Sequence, residues 1–249
     1  MSGLSGLSGL SGLSGVAGGS WTPAALSSAV HWWSAAQRRY SDAGSTVAGV
    51  GDSIQQLNDL VGSDNLSSAS TNRPVYDSLG GKSVMRMTAA STQYLRNASV
   101  AALQTFTVGF AAKFVTQGGS SYNIAFCVGD GGTDEFVNIG ERNDDKWFAS
   151  NNDAATDIAG ATTDTDWHRF IVTRTVSTIA FYLDGTLVGS GSSGGGTQGL
   201  GVIFGAFDVG TPAFPADIYG TDAALFNAVL NSTDRAAFDS YLLSTIPSS

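Results

Sequence analysis

Short runs of β-branched and aromatic residues recur along most of this chain, separated by clusters of Gly, Asn, Asp and Ser. Apolar runs of about four to eight residues bounded by turn-formers predict strands, and their succession without intervening helical patterns predicts a sandwich. The expected strands are 30–34, 84–87, 94–97, 106–113, 124–128, 136–141, 146–150, 167–175, 178–183, 186–190, 202–207 and 217–226. Alternation is clearest after Trp167, where Phe170, Val172 and Arg174 face away from Arg169, Ile171 and Thr173. Both sets hold apolar residues, so one face is expected in the core and the other beneath loops. Between two of these runs stands Asp184-Gly185. A two-residue hairpin turn needs positive φ at both central positions, which Asp tolerates and Gly adopts freely.

Two stretches depart from the period of two. Residues 55–65 are expected to hold a brief helical or irregular segment. Near the C-terminus Asn231 is a good N-cap with Asp234 three residues on. Ala237 with Tyr241, and Phe238 with Leu242, then form an i/i+4 stripe that would lay a short helix on the sandwich before Pro247 stops it.

A different pattern opens the chain. Ser-Gly-Leu recurs four times through Leu13, and Ser14-Gly15-Val16 closes the series. A period of three suits a polyproline-II-like strand, with Leu4, Leu7, Leu10, Leu13 and Val16 along one stripe. A Gly/Ser tether is the bland alternative, but a solvated linker gains nothing from an apolar residue at every third position. Residues 1–19 are therefore expected to be an anchoring arm and 20–249 one all-β domain.

Composition narrows the partners. Twelve Lys and Arg against 21 Asp and Glu leave a net charge of −9, and the basic residues are scattered. Phosphate neutralisation needs clustered cations, so nucleic acid is not an expected partner. No run approaches the ~18 apolar residues of a membrane span. The N-terminus lacks the basic and apolar regions of a secretory signal, which favours release within an assembly or by lysis. Thirteen Phe, seven Tyr and five Trp supply an ample core, and the single Cys127, in an apolar run, reads as a small buried hydrophobe.

Trp167-His168, followed by Tyr182-Leu183-Asp184-Gly185-Thr186-Leu187-Val188-Gly189, resembles the laminin-G-like, concanavalin A-type lectin domains. Gln104 to Phe110 resembles their "F-T-V" strand, Ala216 to Tyr219 with Ala223 to Asn227 their returning strand, and Leu230 to Arg235 their step into a terminal helix. Trp21-Thr22-Pro23, Trp32-Trp33, Asn72 to Tyr76 and Val84 to Met87 are similar to an extension found in phage-borne versions. The resemblance implies an antiparallel jelly-roll sandwich with a short C-terminal helix and an extended N-terminal arm. It implies a virion surface protein, a head decoration or tail-associated adhesin, held to capsid or tail proteins by its arm, compatible with a homo-oligomer, and displayed toward a host-surface glycan. A free or cell-surface carbohydrate-binding module is the alternative, and a polysaccharide depolymerase a further one.

Candidate chemistry is sparse. Glycoside hydrolysis needs two carboxylates across a sugar. The "E-x-D-x-x-E" and "E-x-D-x-E" strands of jelly-roll glucanases are absent, so a non-enzymatic protein is expected. His168 accompanies no nucleophile motif and reads as structural at a strand start; His31 reads as isolated. The resemblance brings calcium as the usual cofactor, though none is required. Asp144, Asp145, Asp153 and Asp157 are the candidate ligands, with Asp130 and Asp134 a second acidic loop; all are equally suited to capping turns. Trp147 is the expected stacking platform for a sugar, with Asn151, Asn152 and Asp153 for its hydroxyls. Trp32, Trp33 and Tyr122 are further platforms, and each of these aromatics could instead serve the core.

Overall fold

The computed structural model describes residues 21–116, 121–129, 136–151, 157–194, 199–207 and 210–248. In chain order the strands are β1 (Ala29–Ser34), β2 (Arg39–Tyr40), β3 (Gln56–Leu57), β4 (Leu66–Ser67), β5 (Val75–Leu79), β6 (Lys82–Met87), β7 (Leu95–Asn97), β8 (Phe106–Phe114) and β9 (Asn123–Val128). They continue with β10 (Val137–Arg142), β11 (Lys146–Asn151), β12 (Asp157–Thr162), β13 (Trp167–Arg174), β14 (Thr178–Leu183), β15 (Thr186–Ser192), β16 (Val202–Phe204) and β17 (Ile218–Phe226), and helix α1 (Ser232–Thr245) follows.

These strands pair into two antiparallel sheets. The first runs β15-β14-β13-β8-β17-β6-β5, with β1 also paired to β17. The second runs β12-β11-β10-β9-β16-β7-β4-β3-β2. Non-neighbouring strands such as β8 and β17 lie side by side, as an all-β jelly-roll sandwich requires. Phe110 of β8 stacks on Phe170 at 4.9 Å within the first sheet and meets Phe126 of the second at 5.4 Å, so aromatic rings hold the layers together. Burying each such ring fully contributes about 1.5–3 kcal/mol.

The outer faces of the two sheets differ. On the first, α1 packs Phe238 and Leu242 over Ala111, Ile171, Ala224 and Phe226. Gly109 permits that approach, because a Cβ there would stand 2.6 Å from the Phe238 ring. The second face of the strand after Trp167 therefore lies beneath this helix rather than beneath loops, and β8 is buried on both sides. On the second sheet a separate apolar group of Tyr94, Ile124, Cys127, Phe148, Ile203 and Ala206 faces outward under partly covering rings.

The longer expected strands are present within a few residues of their predicted ends. The run expected over 202–207 stops at Phe204, because Gly205 takes φ +96° and a Cβ there would lie 2.3 Å from the Met87 sulfur. Five strands escaped the pattern: β2, β3 and β4 are only two residues each, while β5 and β12 lie in polar or Gly/Ala-rich sequence. The segment 55–65 takes the irregular of its two expected forms and has no helix. It holds β3 and then a loop organised by buried Asp59, which accepts the backbone N–H groups of Trp32 (3.0 Å), Val61 (3.0 Å) and Asp64 (3.3 Å). Nor is His31 isolated, since its Nδ1 lies 2.6 Å from Asp59 Oδ2. Cys127 is fully buried, as expected. The arm residues Leu4, Leu7, Leu10, Leu13 and Val16 lie outside the described residues.

Candidate functional site

The outward face of the second sheet carries a cavity of about 270 Å³, lined by Tyr122, Phe136, Phe148, Phe207 and Phe214 among its apolar residues. Strand register builds its floor. Asn138 pairs with Ser150, and Ser150 with Asp157, so these three side chains form one polar row across β10, β11 and β12. Two residues along from Ser150, Phe148 shares its face, opposite Gly140 and then Ile124. A bulge between Ile139 and Gly140 makes this possible, because a Cβ on Gly140 would come within 2.1 Å of the Asn123 carbonyl oxygen.

Loops supply the walls. Tyr122 meets Phe148 edge-on at 5.2 Å, and Phe136 meets Phe207 at 4.9 Å. The backbones of Phe207 and Ala213 exchange hydrogen bonds at 2.8 and 2.9 Å, and Ile124 N–H donates to the Phe214 carbonyl at 3.0 Å. These bonds hold Phe214 at φ +46° with 46% of its surface exposed. A bulky residue in the left-handed region costs of order 1–3 kcal/mol, and such strain is characteristic of ligand contacts. The Asn138 Oδ1 is buried with no hydrogen-bond partner among the described residues. Burial raises the Asp157 carboxyl above the usual carboxylate range, against the pull of Arg142 at 3.8 Å.

The expected site residues divide between the two faces of the same hairpin. Asp157 and Tyr122 line the cavity. Trp147 does not. It is 1% exposed, points between the sheets, and packs on Phe114 at 4.9 Å and Phe170 at 5.4 Å, so neither ring face is open to a sugar. Asn151 is likewise internal, donating to the Ser193 carbonyl at 2.6 Å and accepting from Arg174 Nε at 3.1 Å. Trp32 and Trp33 are buried as well. Asn152, Asp153, Asp130 and Asp134 lie outside the described residues.

Two of the expected calcium ligands share one cationic partner. Asp144 accepts two hydrogen bonds from Arg142, which lower its pKa, and the same guanidinium reaches Asp157. Arg142 thus supplies the positive charge between these carboxylates. Asp145 sits at φ +58° in the β10–β11 turn, its N–H donating to the Arg142 carbonyl at 3.0 Å and its carbonyl accepting from Thr163 at 2.9 Å. Among the described residues no three His, Cys, Asp or Glu side chains converge as a metal site would require.

Phe148, Phe136, Phe207, Phe214, Asn138 and Ser150 escaped sequence reasoning. Phe214 offered one signal: a lone aromatic wedged between Ala213 and Pro215 in a turn-rich stretch has no strand to belong to.

No protein-family model and no curated protein matches this chain. Solved structures do. Trypanosoma rangeli sialidase in complex with sialic acid aligns over 86% of this chain and 33% of its own at 14% identity, with a TM-score of 0.56. The same sialidase as a covalent intermediate with 2,3-difluorosialic acid aligns over 89% and 33% at 15% identity, with a TM-score of 0.55. The binding domain of Paraclostridial Mosquitocidal Protein 1 aligns over 88% and 53% at 13% identity, with a TM-score of 0.61. The chain thus spans about a third of the sialidases and about half of the mosquitocidal-protein binding domain. The expectation of a non-enzymatic protein is overturned here, because the fold occurs within chains that are themselves sialidases, and a missing glucanase motif does not separate this chain from them. What the likeness shows is the fold alone: an all-β sandwich of two antiparallel sheets.

Proposed function

We propose that this chain is a glycan-binding module whose ligand face is the aromatic cavity on the second sheet. The observation that carries the proposal is the pairing of accessible rings with a polar row: Phe136 and Phe207, partly exposed, and Phe214, exposed, lie beside Asn138, Ser150 and Asp157. Sugars present C–H faces that stack on aromatic rings and hydroxyls that bond amides and carboxylates, and this cavity offers both. The likeness to a sialidase solved with sialic acid and to the binding domain of a mosquitocidal protein supports the reading. Recognition is proposed to need no metal, since Arg142 pairs closely with Asp144 and also attracts Asp157.

The finer setting is proposed from sequence: display on a virion surface, with the Ser-Gly-Leu arm seated on a capsid or tail protein through Leu4, Leu7, Leu10, Leu13 and Val16. The acidic balance and the resemblance to phage-borne domains support it. Deleting residues 2–16 is expected to abolish incorporation into particles while leaving the domain folded; incorporation at full level would refute the arm's role.

Binding is tested on a glycan array, with and without chelator. The full chain is expected to bind a defined subset of glycans, unchanged by chelator, and Phe214→Ala to weaken that binding about tenfold with an unaltered melting temperature. Silence across the array, or full binding by Phe214→Ala, would sink the assignment of this cavity.

A further inference from the structure

The cavity is more apolar than a sugar ring alone requires. A hexose stacks one C–H face on one or two rings, yet here Tyr122, Phe136, Phe148, Phe207 and Phe214 enclose the space from several sides. Hydroxyls turned toward these rings would lose water without gaining partners. The occupant therefore needs an apolar projection. It also needs a polar group beside that projection, because Asn138 borders the same space and its Oδ1 lacks a partner among the described residues.

Resting on the glycan-binding function proposed for this cavity, we infer that its ligand is an uncharged N-acetylated hexose. An acetamido group joins a methyl, suited to the ring-lined volume, to one N–H donor and one carbonyl acceptor. Either orientation of the Asn138 amide finds a complement in that group. Ser150 and Asp157 continue the row toward the ring hydroxyls. A volume of about 270 Å³ suits one sugar residue rather than a long oligosaccharide.

The charges on this face disfavour an acidic sugar. Asp157 lines the cavity, and the nearest cation, Arg142, is held by Asp144 in a two-pronged ion pair. A ligand carboxylate would meet Asp157 without a free guanidinium, and like charges brought together at an interface oppose binding.

The test is calorimetric titration of the full chain with matched disaccharides. One set ends in N-acetylglucosamine or N-acetylgalactosamine, a second in the parent glucose or galactose, a third in a 6-deoxyhexose, and a fourth in sialic acid. At least tenfold tighter binding to the first set is expected, with Asn138→Leu removing that preference and Ser150→Ala weakening all neutral ligands alike. Equal affinity for the parent hexoses, or preference for the deoxy or sialylated set, overturns the inference while leaving a glycan site in place. Failure of all four sets to bind tells against the glycan-binding function itself.

Discussion

Asp184 serves two tasks from one position. With Gly185 it takes positive φ, +51° and +78°, to close the β14–β15 hairpin, and its carboxylate accepts from His168 Nδ1 at 2.7 Å and from the Arg169 N–H at 3.0 Å. His168 Nε2 lies 2.8 Å from Asp164, so the imidazole is held between two carboxylates. Burial opposes its charge, yet the bonds to Asp184 and Asp164 outweigh that and raise its pKa, while both carboxyls are lowered despite their own burial. The His contribution is full below about pH 6.5 and is lost as pH rises through its elevated folded value; the Asp contributions are full above about pH 3.8 and are lost as pH falls through their depressed values. The cluster therefore stabilises most near pH 5. His168→Asn is expected to cost about 1.5–3 kcal/mol there, toward the lower end because Asp164 is half exposed, and progressively less by pH 9. Chemical denaturation of both proteins at the two pH values checks this; an equal gap at both would refute the charged imidazole. At Gly185 an added Cβ would be strained at φ +78° and would stand 3.0 Å from Asp239 Oδ2. Gly185→Ala should cost about 1–2 kcal/mol, read from the shift in denaturation midpoint. The turn was legible because its chemistry is local to two residues. Trp147 was misplaced for the opposite reason: facing alternates with every residue, so a choice one position off exchanges Phe148, which lines the cavity, for Trp147, which fills the core, and Ser150 for Asn151.

Elements show the same division between local and distant information. Helix α1 begins where Asn231 predicted, with Asn231 Oδ1 accepting from Thr233 and Asp234 at 2.9 and 3.0 Å, and it buries Phe238 and Leu242 of the expected stripe. Its docking bond was not legible. Tyr241 donates to Asp222 of β17, which also accepts from Trp32 Nε1 at 3.1 Å and Ser34 Oγ at 2.8 Å of β1. Strand β1 reaches this point from the far end of the chain to meet β17 and α1, and no spacing rule foretells such a meeting. Tyr241→Phe removes one donor from a fully buried carboxylate and is expected to destabilise by about 1–3 kcal/mol, measured by urea denaturation. A neutral substitution would mean that Asp222 is served adequately by Trp32 and Ser34. The short strands β2 to β4 were invisible for a related reason: two residues carry no period, and only pairing with β7 makes them part of a sheet.

At the scale of the whole molecule, the asymmetry of the two outer faces determines where a ligand can be met. Helix α1 covers the middle of the first sheet, over β8, β13 and β17, whereas among the described residues the second sheet keeps a cavity beside Asn138 and Asp157. The only carboxyl lining that cavity, among the described residues, is that of Asp157, whose pKa burial has raised, with Arg142 pulling the other way. If sugar hydroxyls donate to Asp157, the ligand prefers the ionised carboxylate. Affinity should then be flat well above the folded pKa and fall about tenfold for each pH unit below it, beginning at higher pH than an ordinary aspartate would give. Arg142→Gln removes the attraction that favours the charged form and should move the fall to higher pH still. Asp157→Asn should bind more weakly at pH 7 and show no fall. Titrating affinity from pH 4 to 8 for the three proteins separates these outcomes. A profile shared by all three would mean that Asp157 shapes the cavity without touching the ligand, and that the rings and Asn138 carry recognition alone.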